Sequence, residues 1–140
     1  MENSDYLKNL NENQLEAVKT INGPVMVFAG AGTGKTRTLI SRIVYMIKEC
    51  NIQPYNILAI TFTKKATNEM RERLEKQIDD NAKFVHISTI HSLCANILRR
   101  NATYLDYGRN FEVIDEEDQV KILNEIYKKS EINRRVLSPK

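Results

Sequence analysis

Eight consecutive residues, Ala29-Gly30-Ala31-Gly32-Thr33-Gly34-Lys35-Thr36, bring three glycines, an amine and a hydroxyl together in one short stretch. Small residues let successive backbone N–H groups turn inward around an anion. A helix that starts where such a turn ends points its positive dipole end at the same place. The chemistry is that of holding a chain of phosphates: Lys35 would reach the β- and γ-phosphates, and the Thr36 hydroxyl would ligate Mg²⁺. The phosphate-loop pattern G-x-x-x-x-G-K-[ST] asks for glycine first, where this chain has Ala29; every other specified position is met. The bland alternative is an ordinary glycine-rich turn, and the flanking elements weigh between the two.

A phosphate loop has to join a strand to a helix. Upstream, Pro24-Val25-Met26-Val27-Phe28 is a short apolar run rich in strand formers, and downstream Leu39, Ile40, Ile43, Val44 and Ile47 recur at helical spacing as far as Cys50. Before the loop, Asn11 is placed to cap a helix from about Glu12 to Ile21 that Asn22-Gly23-Pro24 stops. After it, Ile57 to Phe62 is apolar enough for a strand buried on both faces, and Thr63 can cap a helix over Lys64 to Ile78. Asp79 to Lys83 reads as a loop, Phe84 to Thr89 as a third strand, and a further helix runs to about Asn101.

The order β-α-β-α-β-α predicts an α/β fold, a parallel sheet flanked by helices, with the carboxyl ends of the strands on one edge. Ligands bind at that edge. The loops after Phe28, Phe62 and Thr89 are therefore candidates for one shared surface. Beyond Tyr104 the pattern changes to a turn at Tyr107-Gly108-Arg109-Asn110, an alternating segment Phe111 to Ile114, and a helix from Glu116 to Lys129, which reads as the start of a second domain.

A chain of 140 residues is long enough to bury a core without disulfides or metal. No apolar run approaches the length needed to cross a bilayer, and Met1-Glu2-Asn3-Ser4-Asp5 is unlike a secretory signal, which points to the cytoplasm. Cys50 and Cys94 stand far apart among apolar residues and read as reduced core thiols. A net charge of +3 is too small to argue for nucleic acid by itself. Its distribution says more: Lys64, Lys65, Arg71, Arg73, Arg99 and Arg100 fall mid-chain, whereas Glu112, Asp115, Glu116, Glu117 and Asp118 form an acidic cluster.

Four segments together resemble the UvrD/Rep family of superfamily 1 DNA helicases. Leu10-Asn11-Glu12-Asn13-Gln14-Leu15-Glu16-Ala17-Val18 is similar to the family's Q motif, whose glutamine reads the adenine edge; Gln14 is the matching residue, and it also fits as the third helical residue of a capping box opposite Asn11. The loop over 29–36 resembles motif I even at Ala29. Arg37, next in the chain, matches a family position near the nucleotide and is equally at home as a solvated charge.

Thr61-Phe62-Thr63-Lys64-Lys65-Ala66 resembles motif Ia, which contacts single-stranded DNA. An aromatic there can stack on a base, while hydroxyls and backbone N–H groups hold phosphates. The competing assignments are Phe62 as core, Thr63 as a plain cap, and Lys64 and Lys65 as a wet surface. Ser88-Thr89-Ile90-His91-Ser92-Leu93 resembles motif Ib, in which the threonine and histidine touch the DNA backbone. A lone histidine is usually structural. No partner at metal-ligand spacing and no Ser-His-acid set competes for His91, and His86 receives no role.

The resemblance implies a RecA-like P-loop NTPase domain, incomplete here, over 1–103, followed by a transition into a helical 1B subdomain over 104–140. It also implies ATP and Mg²⁺ as cofactors, single-stranded DNA and the remaining helicase domains as partners, no membrane partner, and 3′-to-5′ translocation in DNA repair or replication. The loading partner stays unspecified. Val113-Ile114-Asp115-Glu116-Glu117-Asp118 imitates the acidic strand end that completes an ATPase. Glu112 is out of place in a central strand, however, and acids belong at a helix start anyway. The order of segments then leaves motifs II to VI outside the chain, as in an N-terminal helicase fragment that binds nucleotide weakly without turnover. Two rivals stand beside this reading: a self-contained small P-loop NTPase or kinase with Asp115 as its Walker B acid, and a non-catalytic DNA-binding module. Past Glu131, residues such as Arg134, Arg135 and Ser138-Pro139-Lys140 offer little to bury.

Overall fold

The computed structural model describes residues 5–130, so the expectation about Arg134, Arg135 and the last three residues lies outside the described residues. The chain divides into two compact units between Leu93 and Cys94.

The first unit is organised around α2 and α3. Helix α1 (Glu12–Lys19) opens on a complete capping box, Asn11 with Gln14. Helix α2 (Lys35–Lys48) buries Ile40, Ile43 and Val44 along one stripe. Strand β1 (Leu58–Thr61) leads through Thr63, whose Oγ1 accepts from the Ala66 N–H, into α3 (Lys64–Ile78). The helix occupies the residues its sequence pattern predicts. Its Thr67, Met70, Leu74 and Ile78 recur every three or four residues and are buried, as the helical period requires.

A short 3-10 segment, Asp79–Phe84, then feeds β2 (His86–Thr89), which pairs in parallel with β1 from Leu58↔His86 to Thr61↔Thr89. Helix α3 is thus the crossover between two parallel strands, and it packs against both. Its Leu74 and Met70 share a core with Ile43 and Val44 of α2, Ala59 and Ile87 of the strands, and Tyr6. Tyr6 is fastened by hydrogen bonds: its hydroxyl donates to Glu49 Oε1 at 2.9 Å, and its carbonyl accepts from Ser41 Oγ at 2.7 Å.

In the second unit, α4 (Ile90–Arg100), which begins in the first, leads to a 3-10 turn at Ala102–Leu105 and then to α5 (Glu116–Lys129). The Arg99 guanidinium lies 5.5 Å from the Phe111 ring, and Tyr107 meets the same ring at 6.3 Å. Helix α5 buries no residue, and its Val120, Ile122 and Ile126 remain open.

Several expectations are corrected. The run Pro24 to Phe28 forms no strand among the described residues, and Met26 and Phe28 are 79% and 90% exposed. Strand character needs a neighbour to accept the ladder, and among the described residues only β1 and β2 pair. The β1 segment is not buried on both faces: Ala59 and Thr61 face the core while Leu58 and Ile60 are about half exposed. The sheet is therefore two-stranded, with β1 and β2 both shorter than their apolar runs. Helix α1 ends at Lys19, Asp79 to Lys83 is 3-10 rather than loop, and the alternating segment Phe111 to Ile114 joins no strand ladder among the described residues. Neither thiol is in the core, since Cys94 is exposed on α4 and Cys50 half-buried just past α2.

Candidate functional site

The glycine-rich run turns through two left-handed residues, Gly32 at φ 75° and Gly34 at φ 87°, conformations that residues with a Cβ adopt only at a cost. Gly34 is the N-cap of α2, and no side chain caps the helix there. The first turn of α2 holds Lys35, Thr36 and Arg37, with no acidic residue. By contrast, α1 opens with Glu12 and α5 with Glu116, Glu117 and Asp118, which complement the helix dipole from within the chain. The start of α2 leaves its N–H groups and its partial positive charge for an outside anion. Glycine at 34, an uncapped helix start and two cations beside it form a donor set that fits a phosphate group.

The loop is held by its own side chains. Thr33 Oγ1 donates to Gly30 O at 2.8 Å, and Lys35 Nζ donates to Ala29 O at 3.0 Å and also to Gly30 O. Gln14 reaches across from α1: its Nε2 donates to Thr33 O at 3.0 Å, while its Oε1 accepts from Asn11 N at 2.9 Å. The capping-box role is therefore present, together with a direct contact to the loop. A cleft of about 260 Å³ opens between these elements, lined by Asn13, Gln14, Phe28, Ala29, Gly30, Thr33, Lys35 and Thr38 among others. Ala31 and Gly32 lie on the exposed turn, and Thr36 and Arg37 are exposed in the first turn of α2 without lining that cleft.

A second group of residues collects where β1 and β2 end side by side, because Thr61 and Thr89 are register partners. Phe62, immediately after β1, is 95% exposed, which removes the core assignment for it. Thr63 caps α3, and Lys64 and Lys65 are exposed in its first turn, which carries no acid. Thr89 is buried; its Oγ1 accepts from Ser92 N at 3.1 Å and donates to Ser92 Oγ at 2.9 Å, so it closes the start of α4. His91 is exposed on the first turn of that helix. The structure thus brings Phe62, Thr63, Thr89 and His91 to one strand edge, and Gln14 to the phosphate-type loop.

Asp115 stands at the N-cap of α5, its carboxylate accepting from Asp118 N at 2.9 Å, with no strand before it. Three side chains to which the sequence pattern gave no positioning role hold these elements. Arg71 Nη2 donates to Ile87 O at 3.2 Å and ties α3 to β2, Arg42 Nη1 donates to Ala17 O and ties α2 to α1, and Ser92 completes the Thr89 cap. Only Ser92 had a local signal, its spacing of three from a threonine. Among the described residues no group of His, Cys, Asp and Glu is arranged to hold a metal ion, and no helix is long and apolar enough to cross a membrane.

Comparison with known proteins adds a direct finding. Residues 10–140 match the family described as UvrD/REP helicase N-terminal domain. The chain is 46% identical over 134 residues to the ATP-dependent DNA helicase PcrA of Staphylococcus aureus, and 45% identical over 134 residues to that of Staphylococcus epidermidis. Each alignment covers 96% of this chain and 18% of the relative, so the chain spans under a fifth of the length of these relatives.

Proposed function

The chain belongs to the UvrD/REP helicase family, and from that premise we propose that it is the ATP-binding segment of an ATP-dependent helicase that moves 3′ to 5′ along single-stranded DNA in repair or replication. The observation that carries this proposal is the start of α2: an uncapped helix after a left-handed glycine, with Lys35 in its first turn and no acid there.

Lys35 binds the terminal phosphates as a point charge, and the N–H groups of Gly34, Lys35 and Thr36 receive the oxygens between them. The Thr36 hydroxyl, together with the phosphate oxygens, would hold Mg²⁺, which supplies charge neutralisation when bound. Gln14 presents its amide to the base, and Arg37 adds a second positive charge beside the loop.

Phe62 offers an open ring for base stacking, while Lys64, Lys65 and His91 face the backbone phosphates and Thr63 and Thr89 fix the strand edge that presents them. The absence of acids from the first turns of α3 and α4 supports the same assignment. Residues 1–103 are the first part of a RecA-like domain 1A, and 104–140 the passage into 1B. Work is then done in the cytoplasm by the whole protein, in which a second RecA-like domain closes on the nucleotide.

Titration of the chain with a fluorescent ATP analogue and Mg²⁺ tests the proposal. Binding should weaken at least about tenfold in Lys35→Ala, as expected when a charge-assisted hydrogen bond is removed. ATP hydrolysis with and without single-stranded DNA should stay at background. Steady turnover by this chain would instead favour a self-contained NTPase, and binding indifferent to Lys35 would remove the nucleotide site altogether.

A further inference from the structure

We infer that Gln14 is a positioning residue for the phosphate loop, fixing the Thr33–Gly34 peptide whatever base is bound. This rests on the reading of 29–36 as a triphosphate site and adds to it a role that is independent of adenine.

The geometry points that way step by step. Gln14 sits in the first turn of α1, nineteen residues before Thr33, and its Nε2 donates to the Thr33 carbonyl at 3.0 Å. Its own orientation is set from the other end: Oε1 accepts from Asn11 N at 2.9 Å, and the Gln14 N–H donates to Asn11 Oδ1 at 2.9 Å. The amide is therefore a strut between a capped helix start and the loop.

A trans peptide is planar, so a carbonyl and the following N–H point in opposite directions. Clamping Thr33 O toward α1 turns the Gly34 N–H away from α1. That N–H is one of the loop donors at the entry to α2, where the helix carries no side-chain cap. The strut also explains part of the need for glycine at 34. Besides its φ of 87°, a Cβ there would stand 3.2 Å from Gln14 Nε2, tight enough to displace the amide.

The two roles of the side chain are chemically separable. An amide nitrogen has two protons and its oxygen two lone pairs. The bonds to Thr33 and Asn11 use one of each, leaving one donor and one acceptor for a base edge. A residue that only read the base would matter for ATP and be silent toward a ligand with no base.

The probe is inorganic tripolyphosphate with Mg²⁺, measured by displacement of a fluorescent ATP analogue from the chain. Wild type should bind it and Lys35→Ala should not. Gln14→Ala should weaken tripolyphosphate by about threefold to tenfold, the range for one neutral hydrogen bond, and ATP by at least as much. Val18→Ala is the stability control, since Val18 is fully buried on α1 and takes no part in the hydrogen bonds that join Gln14 to Asn11 and Thr33. It should lower the unfolding midpoint while leaving tripolyphosphate affinity within about twofold, the scatter expected of a site whose bonds are intact.

Weakened ATP with unchanged tripolyphosphate in Gln14→Ala would overturn the inference and leave Gln14 a base reader only. Equal weakening by Val18→Ala would overturn it as a general effect of loosening α1. If Lys35→Ala binds tripolyphosphate as well as wild type, the phosphate-site reading itself has failed, a different result from either of these.

Discussion

Thr63 and Thr89 each close the helix that follows a strand, one by accepting from Ala66 N and the other from Ser92 N. The cap at Thr63 was legible because capping residues carry a local signature, whereas Thr89 was read only as a strand end and a DNA contact. What the sequence left open was the division of labour within single side chains. For Gln14 the residue types left a capping box and an adenine reader side by side; the structure shows the capping box and adds a bond to the Thr33 carbonyl that neither reading contained. Asp115 is the reverse case. Its surroundings imitate a catalytic acid, yet the carboxylate is used as the cap of α5. Replacing it with Asn keeps an acceptor of the same reach, so helix content through a urea titration should be almost unchanged. Replacing it with Ala should cost about 0.5–2 kcal/mol in the stability of that helix. Affinity for the Mg²⁺–ATP analogue should be the same in both variants, whereas weaker binding in Asp115→Asn and Asp115→Ala alike would revive the acid as a metal-shell ligand.

At the scale of elements, α3 and α5 occupy the residues their periodicity and caps predict, because both signals are local. The run Pro24 to Phe28 failed as a strand for the opposite reason. Its residues favour extension, but a strand exists only when another accepts its ladder, and no local pattern reports that. The exposure of Leu58, Ile60 and Cys94 was illegible in the same way, since an apolar run says that a surface can be buried and not what buries it. The two faces of β1 therefore make a quantitative pair of predictions. Leu74, which packs beneath the sheet and is fully buried, should cost about 2–5 kcal/mol on change to Ala. Leu58, half exposed on the other face, should cost under about 1 kcal/mol by the same chemical-denaturation measurement. Comparable costs would mean that the outer face of the sheet is as well covered as the inner one.

For the molecule as a whole, the modest charge of +3 conceals an order. The three helices that follow the glycine loop and the two strand ends begin without acids, while α1 and α5 begin with them. That distribution predicts salt-sensitive binding of single-stranded DNA. Removing Lys64 or Lys65 should reduce the slope of log affinity against log salt by about 0.7 for each DNA phosphate that the lysine neutralises. Phe62→Ala should lower affinity at every salt concentration with the slope unchanged, as expected for stacking. Fluorescence anisotropy of a labelled oligothymidine over a chloride titration reads both. The open side of β1 and the bare Met26 and Phe28 answer to salt with the other sign. Strongly hydrated anions such as sulfate raise the cost of wetting apolar side chains. Ammonium sulfate should therefore salt the chain out at concentrations where sodium chloride merely strips it from DNA, and the Hofmeister rank of the anion, not ionic strength, will set its solubility.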